Sequence, residues 1–376
     1  MGDPRTGVKG NTQTDWVPGP RGVKTGGELR QWTVPSPRAA TGAAHLGDVP
    51  VGFAAMLEQF PPTEVLALAT YAEQRGFTGV MAADRFQPWV PRQGEASFVW
   101  NVLGALGQMT SGDLGTGMTV PTFRWHPAMV AQASATLAAM YPGRHWLGVG
   151  SGEAIDEHVT GAYWPETAER INRMFEAIEI IKKLFTASLA GRDTKHSGPH
   201  FTLESTRLWT MPDVAPEILV ATSGPVTAKR AGRTVDGIII DGAPMDKIAG
   251  LFARFDEGAR EAGRTGGTKV LRLHLSWAST YELAMANAMT EWPNGGMRFP
   301  RSDIRSPFEF EQLARLVRPE DFDGRMLVSE DPDAHRASIQ SFLDLGFDRI
   351  YLHNVGRNQH EWIDVFARDV LPKLVR

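Results

Sequence analysis

The chain of 376 residues contains no cysteine. This absence excludes disulfide bonds, thiolate metal sites and cysteine nucleophiles. Long apolar runs are also lacking, because no stretch approaches the ~20 apolar residues that a membrane-spanning helix needs. The first residues carry no apolar segment of the kind found in signal peptides. We therefore predict a cytoplasmic protein with no membrane partner.

A strong charge of one sign is missing as well. The chain has 39 Lys and Arg against 43 Asp and Glu, a formal net charge of −4. This near balance argues against a general nucleic-acid-binding protein, which usually carries a strongly basic surface. His126 and His158 belong to no convincing metal triad, so no metal site is predicted. The remaining expected partner is a small-molecule substrate.

Short apolar runs alternate with longer amphipathic stretches from Val51 onward. The predicted strands are Val51–Ala55, Gly79–Ala83, Leu114–Val120, Trp146–Val149, Ile218–Thr222, Gly237–Ile240, Val270–Trp277 and Arg349–Leu352. Strands alternating with helices are typical of parallel βαβ units, and their number suits a closed (β/α)₈ TIM barrel of the α/β class. An open doubly wound sheet is the alternative, but no GxGxxG follows the first strand.

The predicted domain organisation has two parts. Residues 1–48 are rich in Gly, Pro, Thr and Arg without periodicity and predict an irregular arm. Residues 49–376 form a single barrel domain, with insertions near 186–209 and 291–318. Insertions that follow strands are expected over the C-terminal mouth of a barrel, where they shape the pocket.

Functional residues of a barrel follow the carboxyl ends of its strands. Polar or aromatic groups stand there beside Gly or Pro, in the segments Glu58–Phe60, Asp84–Trp89, Pro121–Pro127, Gly150–Glu153 and Ser223–Pro225. The last segment directly precedes a predicted helix. It either binds an anion with free N–H groups or is an ordinary N-cap made by Ser223. His145 and His274 lie in or beside apolar strands and are interpreted as core residues.

Four motifs occur in order along the chain. They are DRFQPW at 84–89, PTFRWHPAMVAQ at 121–132, GVGSGE at 148–153 and SGPVTAKRAGR at 223–233. Together they resemble the F420-dependent glucose-6-phosphate dehydrogenase group of the bacterial-luciferase-like family, from about Val51 to the C-terminus. The resemblance implies a luciferase-like TIM barrel, a hydride-transferring oxidoreductase and the deazaflavin coenzyme F420. It also implies a homodimer.

The resemblance implies positions for the cofactor. Asp84 and the loop after the third strand would contact its ring, with a non-proline cis peptide at Gly117-Met118. Trp89 would shield the reacting carbon. The turn that would bind the phosphodiester tail consists of Ser223, Gly224, Val226 and Thr227. Gly152 and Asp156 would lie near the cofactor's side chain, although Asn is common in the group where this chain has Asp156.

One departure from the group changes the expected chemistry. The group has a His directly after the residue equivalent to Asp84, and this chain has Arg85. Arginine keeps its proton and cannot act as a general base. A fixed cation instead suits stabilisation of developing negative charge. The expected reaction is therefore reduction of an electron-poor acceptor (an activated C=C, an imine, a carbonyl or a nitroaromatic ring) by reduced F420.

Several alternatives remain open. The first is an F420-dependent dehydrogenase of a hydroxyl group such as that of a sugar phosphate, with Glu58 or Glu153 as the base. Others are an FMN-dependent luciferase-like monooxygenase and a cofactor-binding protein without turnover. For the substrate, the resemblance places Arg301 and Arg325 in the phosphate clamp. The clamp's lysine is replaced near Pro244, beside Asp241.

Overall fold

Eight parallel strands close into a barrel in the computed structural model, which describes residues 49–376. Those strands are β1 (Val51–Ala55), β2 (Gly79–Ala82), β3 (Asp113–Thr116), β4 (His145–Val149), β7 (Glu217–Ala221), β8 (Gly237–Asp241), β9 (Thr268–Ser276) and β11 (Arg349–Asn354). Each pairs with its neighbours in this order, and β11 pairs with β1 and β9. A two-residue strand, β10 (Leu327–Val328), adds to β9. The predicted TIM barrel is confirmed.

The barrel strands are apolar because both of their faces are covered. Every residue of β1 and β4 is buried. Along β9, Leu271, Leu273 and Leu275 pack in the outer core beneath the helices. Side chains alternate across a strand, so Arg272 and His274 point to the barrel lumen.

Helices follow the strands and cover the outside of the barrel. They are α1 (Pro62–Gln74), α2 (Val99–Met109), α3 (Pro127–Met140), α4 (Ala154–Glu157), α5 (Thr167–Leu189), α6 (Pro225–Thr234), α7 (Met245–Glu261), α8 (Tyr281–Glu291), α9 (Pro307–Ala314), α10 (Pro332–Leu345) and α11 (Gln359–Val365). Several begin with Pro in the first turn, where no N–H partner is needed.

The two predicted insertions take different positions. Residues 190–209 contain an antiparallel hairpin of β5 (Thr194–Ser197) and β6 (Thr202–Thr206). This hairpin follows a helix rather than a strand, and it packs on the outside: the Glu176 carboxylate in α5 accepts from the backbone N of Phe201 at 3.0 Å. The second insertion follows β9. It reaches the mouth, where Ser302 O accepts from Ala154 N at 2.8 Å.

Other expectations differ in detail or are not addressed. Strand β3 ends at Thr116, short of the predicted Val120, because the chain turns into the mouth from Gly117 onward. The predicted arm of residues 1–48 lies outside the described residues. Across residues 49–376, no helix has both the length and the apolar character needed to cross a membrane.

Candidate active site at the barrel mouth

The loops after β1, β2, β3 and β4 meet at one end of the barrel. The backbone N of Asp84 donates to Met118 O at 2.9 Å, which joins the second loop to the third. The carboxylate of Asp156 accepts from Phe86 N at 2.8 Å, which joins the second loop to the segment after β4. Sequence-predicted residues from four strand exits are therefore brought together.

Arg85 is buried at the centre of this mouth. Its Nη1 lies 3.2 Å from Glu153 Oε2 and 3.3 Å from Asp156 Oδ2. Its guanidinium carbon lies 3.9 Å from the centroid of the Trp89 ring. Burial would lower the pKa of Arg85, but Asp156 and Glu153 raise it overall, so the side chain stays charged. Two carboxylates thus neutralise the cation that we expected to stabilise developing negative charge.

Glu58 follows β1 and is 2% exposed. No group within residues 49–376 forms a hydrogen bond with its Oε2, which is buried. Burial raises the pKa of Glu58, while Arg85 opposes the rise. A carboxyl group that is desolvated but not bonded is a stronger proton acceptor than an ordinary surface carboxylate.

Asp84 has a different environment from Glu58. Its Oδ2 accepts from Thr119 Oγ1 at 2.6 Å, and Arg124 Nη2 donates to its backbone O at 2.9 Å. Arg124 also pairs with Glu157 at 3.0 Å. Burial raises the pKa of Asp84, against the effect of Arg124. Because these contacts occupy its carboxylate, Asp84 fixes the shape of the loops around the mouth.

The loop after β3 bulges into the mouth. The peptide bond between Gly117 and Met118 is cis, as the resemblance implied. A Cβ on Gly117 would lie 2.3 Å from the Met81 side chain, so a larger residue there would displace Met81. Arg272 crosses the lumen from β9 and donates to Gly117 O at 2.6 Å. Sequence reasoning missed this role of Arg272.

A turn with open N–H groups begins α6. The N-cap is Gly224, whose own N donates to Thr222 Oγ1 at 3.2 Å. No side chain caps the N–H groups that follow, so of the two alternatives for this turn, capping by Ser223 is wrong. A Cβ on Gly224 would meet no atom within 4 Å, and Val226 is 78% exposed. Together with Thr227, these residues leave a helix N-terminus free to bind an anion. In the loop after β4, Gly152 adopts a φ of +86°, which favours glycine.

The segment between α8 and β10, which includes the second insertion, contributes two arginines. The guanidinium carbon of Arg301 lies 5.5 Å from the centroid of the Trp89 ring, and Arg325 Nη1 donates to Met297 O at 2.9 Å. Burial, with Arg325 nearby, lowers the pKa of Arg301. In the part of the chain that the structure describes, neither guanidinium forms a salt bridge. Asp241, by contrast, pairs with Arg272 at 2.7 Å, which compensates its negative charge.

The two core histidines have different surroundings. His145 is buried, with Ser134 Oγ at 2.9 Å from its Nε2 and Leu114 O at 2.9 Å from its Nδ1, so that interpretation is confirmed. His274 is half-buried and lines a cavity of about 310 Å³ between β9, β10 and α10, so interpreting it as a core residue is wrong. The alternation of β9 turns it inward, and that pattern was readable from Leu273 and Leu275.

Comparison with known proteins gives a consistent family. The model of the luciferase-like monooxygenase family matches residues 39–349. An F420-dependent glucose-6-phosphate dehydrogenase of Nocardia farcinica is 35% identical over 336 residues, which cover 88% of this chain and 99% of that protein. A protein of the same description from Microbacterium testaceum is 34% identical and covers 86% of this chain.

Solved structures agree with the fold. An F420-dependent secondary alcohol dehydrogenase in complex with an F420-acetone adduct superposes with a TM-score of 0.81 at 29% identity, covering 86% of this chain and 98% of that one. The coenzyme F420-dependent tetrahydromethanopterin reductase of Methanopyrus kandleri superposes with a TM-score of 0.71 at 20% identity, covering 86% and 99%. At that identity the second likeness supports the fold alone.

Proposed function

Since this chain belongs to the luciferase-like family, in the group of F420-dependent glucose-6-phosphate dehydrogenases, and is an F420-dependent oxidoreductase, we propose that it oxidises a hydroxyl-bearing carbon. Two of its relatives, at 35% and 29% identity, are named as dehydrogenases of a sugar phosphate and of a secondary alcohol. They favour this alternative over the reduction of an electron-poor acceptor.

The mouth fits the cofactor. An uncapped helix N-terminus beside an open glycine suits the phosphate of a tailed coenzyme. When bound, coenzyme F420 exchanges a hydride with the substrate. The residues that we propose to hold it, directly or by shaping its pocket, are Asp84, Gly117, Met118, Gly152, Asp156, Ser223, Gly224, Val226 and Thr227.

Glu58 carries the proposal. Removing a hydride from an alcohol carbon requires that the hydroxyl proton goes to a base. Glu58 is the mouth carboxyl whose buried oxygen lacks a partner and whose pKa burial raises. In our mechanism the hydroxyl O–H bond breaks, Glu58 takes the proton, the C–H pair leaves as hydride and a carbonyl forms. Glu153, the other candidate base, is held by Arg85.

The contacts of Arg85 argue against the reduction of an electron-poor acceptor, which we had expected from this residue. A cation stabilises developing negative charge best when no counter-charge already neutralises it. Here Glu153 and Asp156 lie within 3.3 Å of its Nη1. We therefore assign Arg85 to positioning Trp89 and the loop after β2, with Trp89 covering one side of the reacting centre.

Arg301 and Arg325 are proposed to bind an anionic group of the substrate. Their guanidinium groups come from the segment between α8 and β10 and lack carboxylate partners within residues 49–376. Burial and the neighbouring Arg325 lower the pKa of Arg301, and an anion bound between the two guanidiniums would stabilise both charges. A phosphate or carboxylate on the hydroxyl compound would supply that anion.

Stopped-flow mixing tests the proposal. Enzyme loaded with oxidised F420 is mixed with glucose 6-phosphate, glucose or propan-2-ol, and the absorbance of oxidised F420 is followed. We expect absorbance to fall, fastest with the phosphorylated compound. A protein that binds FMN instead, or that only restores absorbance from reduced F420 with nitroaromatic or activated alkene acceptors, would contradict it.

A further inference from the structure

A chain of hydrogen bonds runs through the mouth beneath His274. Gln59 Nε2 donates to Val355 O at 2.9 Å. The Oε1 of Gln59 lies 3.0 Å from His353 Nε2, and His353 Nδ1 lies 2.8 Å from His274 Nδ1. The chain joins β11 and β9 to the residue next to Glu58.

This chain fixes the position of every proton in it. Because the Gln59 amide nitrogen donates to a carbonyl, its oxygen must accept, so His353 Nε2 carries a hydrogen. Burial lowers the pKa of His353 well below its usual value, so the ring is neutral and its Nδ1 is an acceptor. His274 Nδ1 must then donate. The lone pair of His274 is left on Nε2.

That Nε2 is the open end of the chain. This nitrogen is accessible to solvent, and no residue in 49–376 forms a hydrogen bond with it. His274 lines the cavity of about 310 Å³ together with Arg325 and Asp323. Its ring lies 4.7 Å from the centroid of Trp292 at a 32° interplanar angle, so the ring is held in place.

The same contacts tie His274 to the reacting centre. Trp292 packs edge-on against Trp89, with centroids 6.3 Å apart. Trp89 in turn carries Arg85 over its face. His274 therefore borders the cavity that Arg325 also lines, and it contacts the Trp292–Trp89 pair, whose Trp89 we propose to cover the reacting carbon.

We propose that His274 is a specificity-determining residue, whose Nε2 accepts a hydrogen bond from a second hydroxyl group of the substrate. This proposal rests on the proposed function and narrows it to compounds with at least two hydroxyls, one oxidised and one held by His274. A single-hydroxyl alcohol would leave this acceptor unused. A site built to hydrogen-bond a hydroxyl discriminates against analogues that lack it.

His274 acts as an acceptor rather than as the base. Burial and the nearby Arg272 lower the pKa of His274 to about 3. A group with so little affinity for a proton cannot take one from an alcohol at neutral pH. Its fixed lone pair can still orient a hydroxyl donor, and Glu58 remains the base.

Histidine-selective ¹⁵N NMR of the full-length protein loaded with oxidised F420 tests the tautomer directly. We expect His274 to be neutral near pH 7, with hydrogen on Nδ1. Glucose 6-phosphate should shift the Nε2 resonance, and propan-2-ol should not. His145, whose two nitrogens are already bonded, is the internal control and should not respond. In His353→Phe, His274 loses the acceptor for its Nδ1 hydrogen, so we expect it to populate both neutral tautomers.

Kinetics supply the second readout. His274→Phe keeps an aromatic ring on Trp292 but removes the acceptor, and we expect KM for glucose 6-phosphate to rise about tenfold with a smaller change in kcat. His274→Gln, whose side-chain carbonyl can accept, should recover part of the loss. Oxidation of propan-2-ol should change less than twofold, as loss of one hydrogen bond would not affect it.

The outcomes separate the two proposals. The role of His274 is overturned if its Nε2 carries the hydrogen. It is also overturned if glucose 6-phosphate does not shift the Nε2 resonance and His274→Phe leaves KM unchanged. Either result leaves the dehydrogenase proposal standing. If no hydroxyl compound is oxidised but the Nε2 resonance still shifts with the sugar phosphate, the proposed function fails while the hydrogen bond to His274 is supported.

Discussion

The Arg85 guanidinium lies over the Trp89 ring, 3.9 Å from its centroid, while the same guanidinium holds Glu153 and Asp156 at 3.2 and 3.3 Å. A residue that we expected to stabilise developing negative charge therefore joins the loops after β2 and β4. A cation over an indole stabilises by about 0.5–2 kcal/mol, more as the pair is desolvated.

Replacing Arg85 separates its bracing role from a catalytic one. In Arg85→Met the carboxylates of Glu153 and Asp156 lose their cation in a largely buried site, and we expect the free energy of unfolding to fall by about 3 kcal/mol. Arg85→Lys is the matched control. Its free energy of unfolding should fall by less, and its kcat should stay within about tenfold of wild type. Urea denaturation and F420 turnover measure both. A 100-fold loss of kcat in Arg85→Lys at unchanged stability, about 2.7 kcal/mol of transition-state stabilisation, would place Arg85 in the chemistry.

The pH dependence of turnover reports on Glu58. Burial raises its pKa above 4.5, and only the deprotonated form can take a proton. We expect kcat/KM to fall as the pH drops through this raised pKa, so the acid limb lies above the position of an ordinary carboxyl group. A profile that stays flat down to the ordinary carboxyl range would show that Glu58 is not the titrating base.

Glu157 gives a stability prediction. Burial raises its pKa from 4.5 to about 7, against the effect of Arg124. Because the folded state binds this proton more tightly than the unfolded chain, the stabilisation is complete below pH 4.5 and is lost as pH rises through about 7.

We expect the free energy of unfolding to decline over that window, by at most about 3 kcal/mol from this group. Glu157→Gln should flatten the decline, and Glu204→Gln, at an exposed position of the hairpin, should leave it unchanged. Denaturant unfolding at several pH values measures it. An undiminished decline in Glu157→Gln would assign the effect to other groups.

Gly224 tests the anion site at α6. Gly224→Asp places a carboxylate beside the open N–H groups, where it would occupy or repel the phosphate of F420, and we expect the Kd for F420 to rise at least about tenfold. Gly224→Ala is the control, because a Cβ there meets nothing within 4 Å. Fluorescence titration of the apo protein compares the two. If Gly224→Asp and Gly224→Ala bound F420 with equal affinity, the phosphate of F420 would not bind at this turn.

The sequence predicted the barrel well because its strands are apolar runs, such as β1 and β4, whose burial depends little on distant partners. It did not predict the β5–β6 hairpin, whose strands are polar and partly exposed and so give no apolar run. Residues 1–48 stay a prediction, as does the homodimer.

The sequence predicted which residues form the site but not how their side chains pair. Strand exits and motifs indicated Glu58, Arg85 and Asp156, and the structure brings them together. Their pairing was not readable, because the Arg85 and Glu153 side chains are 68 residues apart in sequence. Whether a cation is free or compensated depends on such long-range contacts. The same holds for His274, whose open nitrogen is defined by a hydrogen-bond chain through His353 in β11 and Gln59 in the loop after β1.

The most direct measurement is the rate of hydride transfer in a single turnover. Wild type and Glu58→Gln, each loaded with oxidised F420 and saturated with a hydroxyl substrate at neutral pH, are followed by F420 absorbance. Our account expects Glu58→Gln to bind F420 normally but to react about 10²-fold more slowly or worse. Equal rates in the two proteins would contradict it.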